Sequence, residues 1–570
     1  MQDVRNKLGA ATRAFEAGDL ESARRLGEEA ARHFEEALSR APEDAEILDN
    51  LGQAYLASGR IDAASQVLKK ALAVDPGSPA IRNSLGRAAM ADGRPDEALS
   101  LFREAAQLLP QGPVALYELG ISFLRFSLHE EALPLFAEAA RKGMRNAELF
   151  NLIGSCCAAL DSRRQAEQAY RMALSMDARN IRAYVNLGLF LEHENRLDDL
   201  SKLMGEASRN AVGGPDIGFL QALLLQREGK LEEALSTARA AVPEVLDPII
   251  YQEFVGKLAD RLGKFDIAFE SFLQMNNAMA MMPEARRHDG SEYPAAIRRN
   301  TATLSQQWYG SWTKPLPPDD RPAPVFLGGF LRSGTTLLDT VLMGHRGLQV
   351  REEEAMIPRL EQAAGAFDQL GALEEPDLRE LRDLYYDVLS QNGDVPAHAR
   401  PVDKYPMMPL RAAQIHRIFP GAKFVFLQRH PCDVVLSCFM QNFRINSAMA
   451  SFLTLENSAR LYDATMDHWH RAQEVFPLDI HTIRYEDLVT DLEAHLRPLI
   501  AFLDLEWDAA LLDHRRSALE RGYISTPSYS QVTEQLYTRS SGRWEAYRKH
   551  IEPVLPMLAP WADRFGYDIG

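Results

Sequence analysis

Cysteine is scarce in this chain: Cys156, Cys157, Cys432 and Cys438 are the four in 570 residues. That density excludes a disulfide scaffold, and the lack of paired CxxC segments removes the usual zinc arrangements, so a reducing compartment is expected. No run of about 18 apolar residues occurs, and the opening Met1-Gln-Asp-Val-Arg-Asn-Lys is polar, with no apolar leader core. The expectation is a cytoplasmic chain without an integral membrane segment. Basic residues are in deficit, 63 Lys and Arg against 80 Asp and Glu, for a formal net charge of −17. Nucleic acid and anionic membranes demand a dominant basic surface, so neither is an expected partner, and any chemistry on phosphate must be local.

What the first half does have is a period. Leu51-Gly52, Leu85-Gly86, Leu119-Gly120, Ile153-Gly154 and Leu187-Gly188 recur every 34 residues, continued by Ala222 and Gly256. Twelve residues after each glycine or alanine comes Ala64, Ala98, Ala132, Ala166, Leu200, Ala234 or Ala268. Nineteen after come Ala71, Ala105, Ala139, Ala173, Ala207 and Ala241. Small residues at fixed intervals mark places where helices approach closely. Gly59, Gly93, Asn195, Gly229 and Gly263 keep the phase of a turn, and Pro76 and Pro110 close two units. Each unit therefore reads as a helical hairpin. The pattern resembles the tetratricopeptide repeat family, whose stacked hairpins form a solenoid. About seven units fit residues 45–278, with residues 1–44 as a lengthened first repeat or cap. The repeated Leu, Gly and Ala positions are core packing; the resemblance implies a peptide or protein ligand on the surface they support. The expected division is a solenoid over 1–278, a linker over 279–323 that ends proline-rich (Pro315, Pro317, Pro318, Pro322), and a second domain over 324–570.

In that second domain the pattern changes to α/β. Pro324-Val-Phe-Leu-Gly-Gly329 reads as a buried strand and Leu337–Met343 as a helix, with Arg332 to Thr336 between them. Gly334 permits close backbone approach, Ser333, Thr335 and Thr336 offer hydroxyls, and a helix start contributes aligned N–H groups, so this turn suits a phosphate. A Walker loop would place lysine before its final hydroxyl residue; here Gly334 is followed by Thr335-Thr336, which disfavours an ATP or GTP hydrolase. A second turn, strand and helix run through FPGAKFVFLQRHPCDVVLSCF (419–439), with Arg429 at the strand's carboxyl end. In an open α/β sheet Arg429 and Ser437 can share a crevice with the first loop and hold a second phosphate.

FLRSGTT (330–336) and the 419–439 segment resemble the 5′-phosphosulfate and 3′-phosphate motifs of the sulfotransferases that use 3′-phosphoadenosine 5′-phosphosulfate (PAPS). The likeness extends, in order, to IRYEDLV (483–489), TPSYSQV (526–532) and SGRW (541–544). Within that family REEEAMIPR (351–359) and VDKYP (402–406) are similar to the tyrosylprotein sulfotransferases. The resemblance implies a P-loop-like α/β domain with a central parallel sheet behind an all-α solenoid, PAPS as co-substrate, no metal, and an acceptor with a free hydroxyl. By the same resemblance, Arg332, Ser333, Gly334, Thr335 and Thr336 hold the 5′-phosphosulfate, and Arg429 and Ser437 the 3′-phosphate. Tyr485, Ser528 and Arg543 complete the nucleotide pocket. Glu353 is the base, with His345 as alternative, and Lys404 is the acid. Leu331, Cys432 and Gln441 depart from the family's usual residues. The acceptor stays open between a peptide tyrosine delivered by the repeats and a carbohydrate or lipid hydroxyl; a nucleotide-binding scaffold without turnover is the non-enzymatic alternative.

Overall fold

A computed structural model describes residues 2–16, 20–108, 110–282, 285–313, 321, 323–391, 393, 396, 399–513 and 541–569. Ser528 and the 526–532 segment lie outside the described residues, as does most of the proline-rich stretch. By packing, the chain divides into two compact units, 1–262 with 281–287, and 263–280 with 288–570.

The 34-residue period is a series of antiparallel helix pairs: 45–57 with 61–74, 79–91 with 95–107, 113–124 with 129–141, 147–159 with 163–176, 181–193 with 197–209, and 215–227 with 231–240. Helices 248–261 and 265–280 continue the phase, and a longer pair, 2–16 and 20–40, precedes it. In four of these six units the first helix starts on a residue that satisfies free N–H groups: Asp44, Ser78, Asn146 and Asn180 each accept from the turn that follows, whereas Gly112 and Gly214 give the helices 113–124 and 215–227 no side-chain cap. The glycine column exists because the second helix fills the notch. A Cβ at Gly86 would lie 2.4 Å from Phe102, and those at Gly120 and Gly154 would lie 2.6 Å from Phe136 and Tyr170. The alanines at the two other recurrent positions, Ala64 to Ala166 and Ala71 to Ala207, are buried completely. At the turn between paired helices the backbone is left-handed, at Gly59, Gly93, Asn195 and Gly229, and equally at Ser127 and Asp161, where no glycine announces it.

The C-terminal unit is built on five parallel strands, β1 (Val325–Gly329), β2 (Leu348–Glu352), β3 (Arg400–Lys404), β4 (Lys423–Gln428) and β5 (Asp479–Arg484), in the order β2-β3-β1-β4-β5. Parallel strands need helical crossovers, and helices such as 335–342, 431–439 and 455–475 supply them. One face of the sheet packs Val325, Leu327, Val425 and Leu427 against Leu338, Val341, Leu488 and Leu496. From β1 the chain turns toward β2 and β3; from β4 it turns to β5. The crevice outside the carboxyl ends of β1 and β4 is where such sheets collect ligands. The helix 265–280 packs in this unit, Asn276 donating to the Phe439 carbonyl at 2.9 Å and Phe269 stacking on His550. Among the described residues no helix is long and apolar enough to cross a membrane.

Candidate active site

Each strand delivers a candidate residue at its carboxyl end. Arg332 to Thr336 follow β1, Glu352 ends β2 and Glu353 follows it, Lys404 ends β3, Arg429 follows β4 and Tyr485 follows β5. Parallel pairing sets these ends side by side; the register pairs Glu352 with Lys404 and Leu327 with Lys404.

The loop after β1 turns through two left-handed residues, Arg332 (φ 66°) and Gly334 (φ 98°), and Gly334 caps the helix that begins at Thr335. Glycine is required at 334 by more than its φ: a Cβ there would lie 2.4 Å from Cδ2 of Tyr485. The Tyr485 ring in turn carries the Arg429 guanidinium, 4.7 Å from its centroid. Arg429 Nη1 donates to the Arg332 carbonyl at 2.8 Å, and Arg332 Nε donates to Ser437 Oγ at 3.2 Å. Arg543 reaches the same neighbourhood, its Nη2 3.2 Å from Met440 Sδ. Burial pushes the Arg332 pKa down, and the charges of Arg429 and Arg543 push the same way. Three guanidinium groups thus gather outside the carboxyl ends of β1 and β4, an arrangement whose chemistry suits an anion.

On the β2–β3 side one buried ammonium meets three carboxylates. Lys404 is 1% exposed; its Nζ lies 2.5 Å from Glu353 Oε1, 3.1 Å from Glu352 Oε1 and 3.8 Å from Asp339 Oδ2. Asp339 is fully buried on the helix after the loop, Glu352 is 12% exposed and Glu353 41%. Glu353 adopts φ 51° while its N–H still donates to the Lys404 carbonyl at 2.9 Å. A left-handed glutamate costs about 1 kcal/mol or more and persists where its surroundings hold it; here the twist turns the exposed carboxylate back over Lys404. A half-exposed carboxylate thus touches a buried ammonium.

Other residues fall elsewhere. His345 is buried, its Nδ1 accepting from Gly347 N at 3.0 Å and its Nε2 2.9 Å from the Glu506 carbonyl. With both ring nitrogens engaged it fixes a turn and offers no base. Asp403 points to the opposite face of β3 from Lys404, as strand alternation demands. It accepts from Tyr385 Oη at 3.1 Å, and burial pushes its carboxyl up to about 7. Cys432 is buried completely and its thiol is pushed up to about 12 by burial, so this departure supplies packing and no cation. Trp544 is a buried anchor stacked on His430. Two residues support the site, and of these Asp433 escaped the sequence reading. Asp433 accepts from Gly542 N at 2.7 Å and Trp544 N at 2.8 Å, which brings Arg543 to the site. Glu486 accepts from His430 N at 3.0 Å and from Tyr567 Oη at 2.7 Å, tying the starts of the helices after β4 and β5 together.

The same architecture emerges from known proteins. Residues 324–509 match the sulfotransferase family, and 4–76, 50–113 and 83–147 match the tetratricopeptide repeat. The chain is therefore a tetratricopeptide-repeat protein with a C-terminal sulfotransferase-family domain. Among individual relatives, an uncharacterized protein of Aquifex aeolicus is 26% identical over 316 residues, 53% of this chain and 40% of that protein. Protein-tyrosine sulfotransferase 1 of Danio rerio is 24% identical over 269 residues, 43% of this chain and 72% of its own length. The match thus spans less than half of the first relative and about seven-tenths of the second. Among solved structures, the sulfotransferase domain of the Synechococcus PCC 7002 olefin synthase is similar at 22% identity, over 45% of this chain and 100% of that domain, with a TM-score of 0.31.

Proposed function

We propose that this chain is a sulfotransferase that moves the sulfuryl group of PAPS to an acceptor hydroxyl, a peptide tyrosine being the acceptor class. The observation that carries the reading is the division of labour along one sheet edge: clustered guanidinium groups after β1 and β4, and a lysine in contact with an accessible glutamate after β2 and β3. The donor set suits the co-substrate. The backbone of the β1 loop and Arg332, Ser333, Thr335 and Thr336 would hold the 5′-phosphosulfate; Arg429 and Ser437 would hold the 3′-phosphate, with Tyr485 and Arg543 closing the pocket. Ser528 keeps its proposed place there.

When bound, PAPS supplies an activated sulfuryl group and a bisphosphate leaving group. The residues of the chain need do little covalent work, because transfer of this kind depends on alignment and on charge stabilisation. Glu353 takes the proton of the acceptor hydroxyl as it attacks. Lys404 stabilises the negative charge that builds on the departing phosphate oxygen. Glu352 and Asp339, 3.1 and 3.8 Å from its Nζ, orient that lysine. Because Glu353 and Lys404 touch each other at 2.5 Å, acceptor binding must part them and free both for their roles. Tyrosine is favoured because 351–359 and 402–406 resemble the tyrosylprotein enzymes and because relatives bear that name.

The test is incubation of the full chain with radiolabelled PAPS and panels of tyrosine peptides, saccharides and phenols, with products identified by mass spectrometry. Sulfated tyrosine that disappears in Glu353→Gln supports the proposal. A sulfated saccharide or lipid would change the acceptor and keep the transfer; tight nucleotide binding with no product from any panel would refute it.

A further inference from the structure

Residues 565–569 leave the helix 555–564 through Gly566, which is left-handed (φ 70°), and fold back over the carboxyl ends of β4 and β5. Their main chain is held at three points. The Phe565 carbonyl accepts from Gln428 Nε2 at 3.4 Å, and the Ile569 carbonyl from Arg548 Nη1 at 2.8 Å. His430 Nδ1 accepts from Cys432 N, so its Nε2 carries the proton and donates to the Asp568 carbonyl at 3.3 Å.

Tyr567, half-buried in this segment, makes three side-chain contacts. Its Oη donates to Glu486 Oε2 at 2.7 Å, its ring meets the His430 ring at 5.0 Å between centroids, and the Arg484 guanidinium lies 4.2 Å over its face. These partners bracket the anion-facing residues: His430 follows Arg429, and Arg484 and Glu486 flank Tyr485. Glu486 is the joint between the two strands' exits. One of its oxygens accepts from His430 N at 3.0 Å and the other is taken by Tyr567. A hydrogen bond to an ionised carboxylate is about twice as strong as a neutral one, so the phenol keeps Glu486 turned toward His430. Burial and the charge of Glu486 push the Tyr567 pKa up, and the hydroxyl stays a donor. His430 also stacks on Trp544, the neighbour of Arg543, at 5.0 Å.

We infer that Tyr567 is a positioning residue for the nucleotide of the proposed function, a reading on which this assignment rests. Its hydroxyl, acting through Glu486, sets where the chain after β4 and β5 presents Arg429 and Tyr485. A side chain about 80 residues beyond Tyr485 thereby governs how well the guanidinium cluster meets an anion.

The test uses the full chain and Tyr567→Phe, which keeps the ring and removes the hydroxyl. Without nucleotide, hydrogen–deuterium exchange read by mass spectrometry should be at least about threefold faster in peptides covering 429–433 and 484–490, because local opening is easier once the closing bond is lost. With nucleotide, isothermal titration of adenosine 3′,5′-bisphosphate should show binding about three- to tenfold weaker, the part of a charge-assisted bond transmitted through Glu486. Glu486→Ala should weaken binding too, and adding Tyr567→Phe to it should cost little more, since two residues acting through one contact do not add. If Glu486→Ala fails to fold by circular dichroism, Glu486→Gln takes its place. Tyr309→Phe removes another tyrosine contact of the same unit, with His416 at 3.2 Å, and should change neither readout. A tyrosine that only stabilised the fold would lower the urea midpoint and leave the affinity of the folded variant intact. Unchanged exchange, unchanged affinity in folded Tyr567→Phe, or fully additive losses overturn the inference. A wild-type chain that binds no bisphosphate refutes the proposed function instead, and exchange alone then decides whether Tyr567 positions the two segments.

Discussion

Replacing Lys404 with methionine keeps the volume of the stem and removes the one ammonium that three carboxylates share. The stranded charges are unequal. Glu353 is solvent-reachable and loses little, less than about 1 kcal/mol. Asp339 is fully buried and Glu352 only 12% exposed, and breaking a buried pair by deleting one partner costs about 3–5 kcal/mol. Part of that loss is recoverable by protonation, which sets a sign. Without Lys404 the folded-state pKa of the stranded carboxyl rises above its unfolded value of about 4, so the folded form binds the extra proton. The variant should regain stability as pH falls through the raised folded value toward the unfolded one, and lose it as pH rises. All six tryptophans lie between Trp308 and Trp561, so their fluorescence during urea unfolding reports the C-terminal unit and leaves the solenoid silent. At pH 7.5 the Lys404→Met midpoint should fall well below wild type, while Glu353→Gln stays near it, and the gap should narrow at pH 5. Equal midpoints for the two variants at pH 7.5 would refute the claim that Lys404 holds buried carboxylates. The contrast also assigns activity loss: in Glu353→Gln it reports chemistry, in Lys404→Met chemistry and stability together.

Gly334→Ala puts a methyl 2.4 Å from Tyr485 and a side chain at φ 98°. It should cost about 1–2 kcal/mol in unfolding free energy and, by shifting the ring that carries Arg429, abolish bisphosphate binding in isothermal titration; unchanged binding would contradict the geometry. Asp433→Asn weakens the two hydrogen bonds that hold 542–544 and should raise the KM for the nucleotide more than it lowers kcat, read from initial rates. Asp403, pushed up to about 7 by burial, holds a proton in the folded state that the unfolded chain releases near 4. Its presence makes folding more favourable as pH falls from 7 toward 4 and less so as pH rises through 7. Asp403→Asn should flatten that slope in urea titrations across the window.

Local signals made the repeat array and the two strand-to-helix turns after β1 and β4 legible. Gly86 and Phe102, or Arg429 beside its strand, belong to segments a few residues long, where spacing and turn chemistry act directly. Non-local contacts were less so. Glu353 in an acidic triplet reads as solvated surface until β2 and β3 pair and bring it to Lys404, 51 residues on. Asp339, lone charge in the apolar run Leu337–Leu342, was a signal without a visible partner, since Lys404 is far along the chain. His345 remained an alternative base because neither Gly347 N nor the Glu506 carbonyl announces itself in sequence. Asp433 gained its role only through residues 542–544, 109 and 111 positions later. Ser127 and Asp161 hid the left-handed turns of two repeats because a polar residue took the place of glycine.

Under the proposed function, the cations after β1 and β4 form a site for a nucleotide bearing both 5′ and 3′ anions. Isothermal titration of adenosine 3′,5′-bisphosphate and of AMP into the full chain tests it directly. The bisphosphate should bind at least about tenfold tighter than AMP, and Arg429→Ala should remove the difference while leaving AMP binding in place. Equal affinity for the two nucleotides, or a preference that survives Arg429→Ala, would contradict it.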